Sequence, residues 1–415
     1  MRPQSTALLA LCLIASCTAP ISEPLQHRPV PLAVTIPTEG SCSELPRVNL
    51  EVATDHIRCV GLIDDQLAFP RGIATWKNDL LVADKGRNLH DRGPGRGAVY
   101  RYTGRDGLAT RQRLLEDLDS PSGIAVWRNR LAFVSTRGQI LRFDPAAPKP
   151  EPVVVIDHLP TSGWHDLTAV HIHNDWLYVT VPSATDHCES GRAGQVRYPC
   201  PEVAATTAPE LQTAIVRRYA IASNGQLEDG FRIFARGLRN ALALASHPQR
   251  RIVYAADNGW DQVDLSGSAY TFATTPHDEL NLIETDAGPH FGWPYCFDEG
   301  NVTPPYEAHK IDCAVFSEPG TLLPAHAAPS GMAWRNDGLW INLHGFRSAG
   351  RRTVRVVLDA DGQPTGPLER MISWDYPDRP VFGVGRPFAI VSYDSDSLVI
   401  SDDWNHALFR VFLRQ

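Results

Sequence analysis

A short pattern recurs along the chain, and it limits the possible folds more than any other feature. It opens with Pro70-Arg71-Gly72-Ile73-Ala74, continues through Leu80-Leu81-Val82-Ala83-Asp84 and closes on Val99-Tyr100-Arg101-Tyr102. A second copy starts at Pro121-Ser122-Gly123-Ile124-Ala125. A third runs from His165 to Leu177-Tyr178-Val179-Thr180, and a fourth from Leu238-Arg239-Asn240 to Ala255-Ala256-Asp257. The fifth opens at Pro329-Ser330-Gly331-Met332-Ala333. The sixth runs from Arg386-Pro387-Phe388 to Ile400-Ser401-Asp402. Each copy offers β-branched and aromatic runs of strand length, divided by Gly, Asn and Asp turns, which read as one small antiparallel sheet. A lone sheet of this size cannot bury both faces, whereas radial stacking covers them and leaves only short edges. The expectation is an all-β chain folded as a six-bladed β-propeller over residues 46–415. The last copy ends close to Gln415, so closure calls for an N-terminal strand, from about residues 48–60, in the final blade.

Composition agrees with a turn-rich globular chain: 415 residues, 43% hydrophobic, 21% charged, with 31 Gly and 33 Pro. A formal net charge of -8 provides no basic surface, and nucleic-acid binding is set aside. Residues 1–17 combine Arg2, an apolar run and Ala15-Ser16-Cys17, the layout of a signal peptide too short to span a bilayer. Ile14-Ala15-Ser16-Cys17 also resembles a lipobox, the alternative being a plain cleaved signal. Residues 18–45, rich in Pro and polar residues, then read as a tether, and the protein as exported to the periplasm on a lipid anchor. Six cysteines remain outside the signal: Cys42, Cys59, Cys188, Cys200, Cys296 and Cys313. In an exported chain an even number implies disulfides, and pairing between successive cysteines is the simplest arrangement. No CxxC or CxxCH spacing favours a metal cluster or a c-type haem.

In a propeller the first strand of each repeat lines the central channel. Four copies place Arg71, His165, Arg239 or Arg386 at that start, where the second and fifth use Ser122 and Ser330. Converging cations suit an anionic ligand. The alternative is that these arginines pair with structural carboxylates between blades.

Further motifs carry a resemblance. Gly237-Leu238-Arg239-Asn240, Asp257-Asn258-Gly259, Asp278-Glu279-Leu280-Asn281, Phe291-Gly292-Trp293-Pro294, Leu343-His344-Gly345-Phe346 and Gly385-Arg386-Pro387 arrive in one order. In that order they resemble the soluble quinoprotein glucose/sorbosone dehydrogenase family. The resemblance implies pyrroloquinoline quinone and calcium as cofactors and oxidation of a sugar or related alcohol. His165 falls at the position of the catalytic base, which takes the hydroxyl proton, with Trp164 before it and Asp166 available to orient it. His171 and His173 receive no role. Arg239 and Asn240 match the pair at the quinone's reactive carbonyls. Arg71, Asn258 and Arg386 join them as cofactor contacts, Arg386 toward a carboxylate. The Gly259 and Trp260 carbonyls match the cofactor-calcium loop with Asp278 beside it, and Glu279 and the Phe291 carbonyl match a second, structural calcium.

Departures from the family pattern are also visible. Where relatives carry a lysine on the fifth blade, this chain has His344-Gly345-Phe346-Arg347, and Arg347 is the substitute candidate. His326 replaces a small hydroxyl residue at a cofactor contact. The irregular stretches 184–210 and 260–277 are expected to carry substrate specificity. Electrons must leave to an external acceptor, a cytochrome or a quinone. Two other classes remain open: a calcium-dependent lactonase or phosphotriesterase, which needs a ring of Asp, Asn and Glu rather than arginines, and a binding propeller without chemistry.

Overall fold

The strand runs of each repeat pair in sequence order, as short antiparallel ladders joined by tight turns do. A computed structural model of the chain describes residues 36–86, 96–104, 110–161, 163–165, 168–190, 195–261, 274–335, 338–375 and 385–414. Blade 1 comprises Pro70–Trp76, Asp79–Asp84, Gly97–Thr103 and Thr110–Leu118. Blade 2 comprises Ile124–Trp127, Leu131–Thr136, Gln139–Phe143 and Val153–Ile156, and blade 3 Val170–His173, Trp176–Val181, Ile215–Ala220 and Arg232–Arg236. Blade 4 is built from Ala241–Ser246, Val253–Asp257, Asp278–Ile283 and Thr321–Leu323. Blade 5 is Pro329–Arg335, Gly338–Leu343, Arg352–Leu358 and Pro364–Ser373, extended by Glu51–Val52. The sixth is Pro387–Asp394, Ser397–Asp402 and Ala407–Leu413.

The ring closes as expected. Ile57–Asp64 pairs with Ala407–Leu413 as the outer strand of blade 6, so the two ends of the fold share one sheet. Leu45–Val48 and Thr38–Cys42 extend that sheet further, and Ile36 lies buried in the core between blades 5 and 6. This corrects the tether expected over residues 18–45: its last part belongs to the folded propeller. The lipobox and the remaining tether lie outside the described residues. The three disulfides are Cys42–Cys59, Cys188–Cys200 and Cys296–Cys313, the successive pairing expected. Among the described residues no helix is long and apolar enough to cross a membrane.

The core is divided between the blades rather than gathered in one place. One apolar cluster fills each of the six interfaces, for example Trp340, Trp374 and Phe409 between blades 5 and 6, and Ile73, Leu80 and Val399 between blades 6 and 1. The glycine of the repeat is explained at the axis. A Cβ on Gly72 would strike the Ser122 carbonyl of blade 2, and one on Gly331 the Phe388 carbonyl of blade 6. Inner strands can approach this closely only where no side chain intervenes.

Candidate active site

The six inner strands enclose an axial channel of about 390 Å³. Its walls are small and apolar, with Ile73, Val126, Val170, Met332 and Ile390 among them. The inner strands run in one sense, so their first residues share a mouth. Arg71 opens its strand, Arg239 and Arg386 precede theirs, and His165 lies in the loop ahead of Val170–His173. The cations expected along the channel therefore stand at its rim.

On the side of blades 3 and 4, His165 is half-buried and its Nδ1 donates to the Ser183 carbonyl at 2.8 Å, with the Ser183 hydroxyl at 3.1 Å. A carbonyl only accepts, so the proton sits on Nδ1 and Nε2 keeps its lone pair. Burial, reinforced by the Arg239 guanidinium, holds the His165 pKa down to about 4, and the ring is neutral at pH 7. Arg239 is buried in turn. Asp186 accepts Arg239 Nη2 on its carboxylate and Nε on its carbonyl at 3.0 Å, and Asp261 accepts Nη2 at 3.1 Å. Burial alone would lower the Arg239 pKa, but the Asp186 and Asp261 carboxylates outweigh it and the net direction is upward. The backbone is fixed as well: Asp257 accepts the N–H of Arg239 at 2.8 Å and of Asn240 at 2.6 Å. The Oδ1 atoms of Asn240 and Asn258 are buried with no hydrogen-bond partner, two acceptors left beside the guanidinium.

Across the mouth, blades 5, 6 and 1 bring Arg71, His344, Arg386 and Asp403 together. Arg71 pairs with Asp403 at 3.2 Å and lies between the rings of Phe69 and Phe388. His344 Nε2 donates to Asp403 at 2.8 Å, and its Nδ1 accepts from Arg386 Nη2 at 2.8 Å. That tautomer is neutral, in keeping with burial and the Arg386 charge holding the His344 pKa down to about 4 against the pull of Asp403. Two guanidinium cations thus stand beside the Asp403 carboxylate, and Asp402 also acts on Arg386. Burial, opposed by Asp403 and aided by Arg71, lowers the Arg386 pKa to about 10. Its Nη1 is buried with no hydrogen-bond partner. Phe346 lies over this guanidinium at 3.6 Å, itself half exposed, and meets the exposed Trp404 edge to face.

Behind Arg239 a separate cavity of about 20 Å³ is bounded by Asp257, Gly259, Trp260, Glu279, Phe291 and Trp293. Asp257 and Glu279 are register partners on adjacent strands of blade 4. Burial pushes Asp257 up to about 7. Burial and then the Asp257 charge push Glu279 up to about 8. Two enclosed carboxylates border this space; both Asp257 oxygens accept backbone N–H groups, and Glu279 accepts from Asn281 Nδ2 and the Asp298 N–H. Asp278 lies apart from this cavity. Its two oxygens accept the N–H of Gly259 at 2.8 Å and of Ala328 at 2.7 Å, tying the blade 4 loop to the start of blade 5.

The sequence expectations therefore divide. His165, Arg239, Asn240 and Asn258 gather on one side of the mouth, and Arg71 and Arg386 on the other. Gly259, Trp260, Glu279 and Phe291 line one cavity, while Asp278 acts as a backbone staple next to it. At the fifth-blade substitution, His344 enters the cation cluster and the Arg347 side chain is exposed. His326 contacts the Thr275 carbonyl at 3.1 Å. Asp166 and residues 262–273 lie outside the described residues. The alternative, arginines paired with interblade carboxylates, describes Arg71 with Asp403 and Arg239 with Asp186. Asp186 and Asp261 were missed, because isolated aspartates in irregular stretches carry no motif. Asp403, next to Asp402 of the sixth repeat, was given no role from sequence.

The sequence profile of the TrAA12-like family matches residues 58–373, the greater part of the propeller. The chain belongs to this family. Solved structures agree on the fold of this TrAA12-like chain. A Trichoderma reesei carbohydrate-active enzyme of family AA12, in an iodide structure, superposes with a TM-score of 0.70 at 18% identity, covering 91% of this chain and 100% of that one. The PQQ domain of pyranose dehydrogenase from Coprinopsis cinerea, in its holo form, gives 0.68 at 19% identity over 89% and 98%. A PQQ-bound aldose sugar dehydrogenase from Streptomyces coelicolor gives 0.58 at 17% identity over 88% and 98%. Among curated proteins, an uncharacterised protein of Borreliella burgdorferi is 27% identical over 192 residues. That match covers 43% of the TrAA12-like chain and 48% of the relative, about half the relative's length.

Proposed function

We propose that this TrAA12-like chain is a quinoprotein oxidoreductase that oxidises an aldose sugar or related alcohol with pyrroloquinoline quinone and calcium, His165 serving as the base. The observation that carries the reading is the neutral His165, its Nε2 lone pair left open beside Arg239 at the mouth of the channel. The cation cluster fits a polycarboxylate: Arg71 and Arg386 bring two guanidinium groups to the mouth, and the buried Arg386 Nη1 has a hydrogen bond to give. Arg71, Arg386, Asn240 and Asn258 would hold the cofactor there, and His344 orients Arg386 by accepting from it. Bound in this mouth, the quinone supplies a hydride acceptor and its calcium a Lewis acid.

The protein's own work is then proton transfer and charge placement. His165 Nε2 takes the proton of the substrate hydroxyl while Ser183 holds Nδ1–H, so the ring cannot present the wrong nitrogen. Arg239, locked by Asp186 and Asp261, keeps a fixed positive charge beside the reacting atoms without reorganising. Glu279, Asp257 and the carbonyl oxygen of Phe291 would hold the structural cation. Exposed Phe346 and Trp404 offer an apolar wall for one face of a sugar ring. Disulfides support export, and an external cytochrome or quinone is the proposed electron acceptor. A calcium-dependent hydrolase is disfavoured because Asp186, Asp261 and Asp403 at the mouth are each engaged by an arginine.

The test is reconstitution of purified protein with pyrroloquinoline quinone and calcium while the cofactor spectrum is followed as aldoses are added. Stoichiometric binding and substrate-dependent reduction, lost in His165→Ala, are expected. Absence of binding at micromolar cofactor would overturn the reading.

A further inference from the structure

The irregular stretch between Trp176–Val181 and Ile215–Ala220 was expected to carry specificity, yet its first residues reach both halves of the catalytic pair. Ser183 donates its N–H to the Arg239 carbonyl at 2.7 Å and accepts His165 Nδ1–H on its own carbonyl. Three residues on, Asp186 grips Arg239 through its carboxylate and its carbonyl, and that carbonyl also accepts the Trp293 indole N–H at 3.0 Å. A turn of residues 183–186 therefore sets the tautomer of the base and the position of the cation at once.

Two buried carboxylates from further along the stretch hold the turn: Glu189 accepts the N–H of Asp186 at 3.1 Å and of His187 at 2.9 Å, and Glu202 holds the residues before them. Glu202 is 7% exposed and accepts the Ala184 N–H at 2.7 Å and the Thr185 hydroxyl at 2.5 Å. It also accepts the Thr213 hydroxyl at 2.7 Å and Arg197 Nη2 at 3.1 Å. The Thr185 hydroxyl in turn accepts the Cys188 N–H at 2.9 Å, and the Cys188–Cys200 disulfide returns the chain to Glu202. The Ala184–Thr185 part of the turn is thus held by one buried side chain that contacts neither His165 nor Arg239 in the hydrogen bonds described.

We propose that Glu202 is a positioning residue for the reaction, acting through Ala184 and Thr185 to hold the turn that orients His165 and Arg239. The inference rests on the reading of those two residues as the catalytic pair. Glu202→Ala frees the turn, Glu202→Gln keeps its shape with one acceptor oxygen, and Thr185→Val removes a single contact. In apoprotein labelled with 15N at the imidazoles, the His165 signal is the one absent from His165→Ala. Wild type should show a fixed Nδ1–H tautomer, and Glu202→Ala exchange between tautomers, with Glu202→Gln and Thr185→Val between them. In reconstituted enzyme Glu202→Ala should lower kcat about tenfold to a hundredfold with KM changed much less. The acid limb of the rate should move from near pH 4 toward the ordinary histidine value. A folded Glu202→Ala that keeps the wild-type tautomer and acid limb overturns the proposal. If Glu202→Ala does not fold, unchanged tautomers in both Glu202→Gln and Thr185→Val overturn it instead. A wild type that never reduces the quinone defeats the dehydrogenase reading alone, since the tautomer measurement needs no cofactor.

Discussion

The two cation clusters at the channel mouth look alike in sequence and differ in electrostatics. Arg239 is closed: two carboxylates meet it, its pKa is raised, and most of its donors are taken. The Arg71, His344 and Arg386 cluster is more open: the Arg386 pKa is pulled down to about 10 despite Asp403 and Asp402, and the buried Arg386 Nη1 has no hydrogen-bond partner among the described residues. A buried cation beyond neutrality is unfavourable until an anion arrives. Under the proposed function, a cofactor carboxylate is expected at blades 5, 6 and 1, with blades 3 and 4 holding charge and geometry fixed.

The comparison can be broken most directly at Asp403. Asp403→Asn removes the anion that meets both Arg71 and His344 and should destabilise the protein by about 3–5 kcal/mol, read from the urea midpoint. A near-neutral result would mean the two arginines are balanced elsewhere. Removing calcium tests the cavity behind Arg239: at a metal concentration about a hundredfold above Kd, chelation should lose about 2.7 kcal/mol, seen as a lowered Tm. Asp186→Asn leaves Asp261 in place, so the closed cluster should lose only about 1–3 kcal/mol while kcat falls. If Asp186→Asn proves as costly as Asp403→Asn, the contrast between the clusters fails.

A pH series sharpens the same contrast. The His344 pKa is near 4 in the folded protein and about 6.5 when unfolded, so the unfolded chain takes up the proton first as pH falls. Its contribution to stability is present above pH 6.5 and is lost as pH falls through 4. His344→Gln should flatten that part of the stability profile. The smallest effect is expected at Phe346→Ala, which uncovers Arg386 and should cost about 0.5–1 kcal/mol.

Much of this was legible before the tertiary structure. The strand runs, the turn residues and the glycine of Pro70-Arg71-Gly72 announced blades, because strand alternation and close approach at the axis are written in neighbouring residues. The successive disulfides were legible for the same reason. His165, Arg239 and Arg386 could be singled out because they break an otherwise small or apolar position. In the fifth-blade motif the sequence pointed to Arg347, and no periodicity marks His344. Burial made the neutral histidine the more useful partner, donating to Asp403 while accepting from Arg386.

The chain's own order determined the six-bladed ring, its closure by a strand from the N-terminal region and its local cross-links, since each depends on contacts within a repeat or on a repeating pattern. Only the tertiary structure decided which arginines are neutralised. Asp186 meets Arg239 from another blade, and Asp403 meets Arg71 across the closure of the ring. Such pairings join residues far apart in the chain that share no periodicity, and their energy exists only once the ring has removed water from between them.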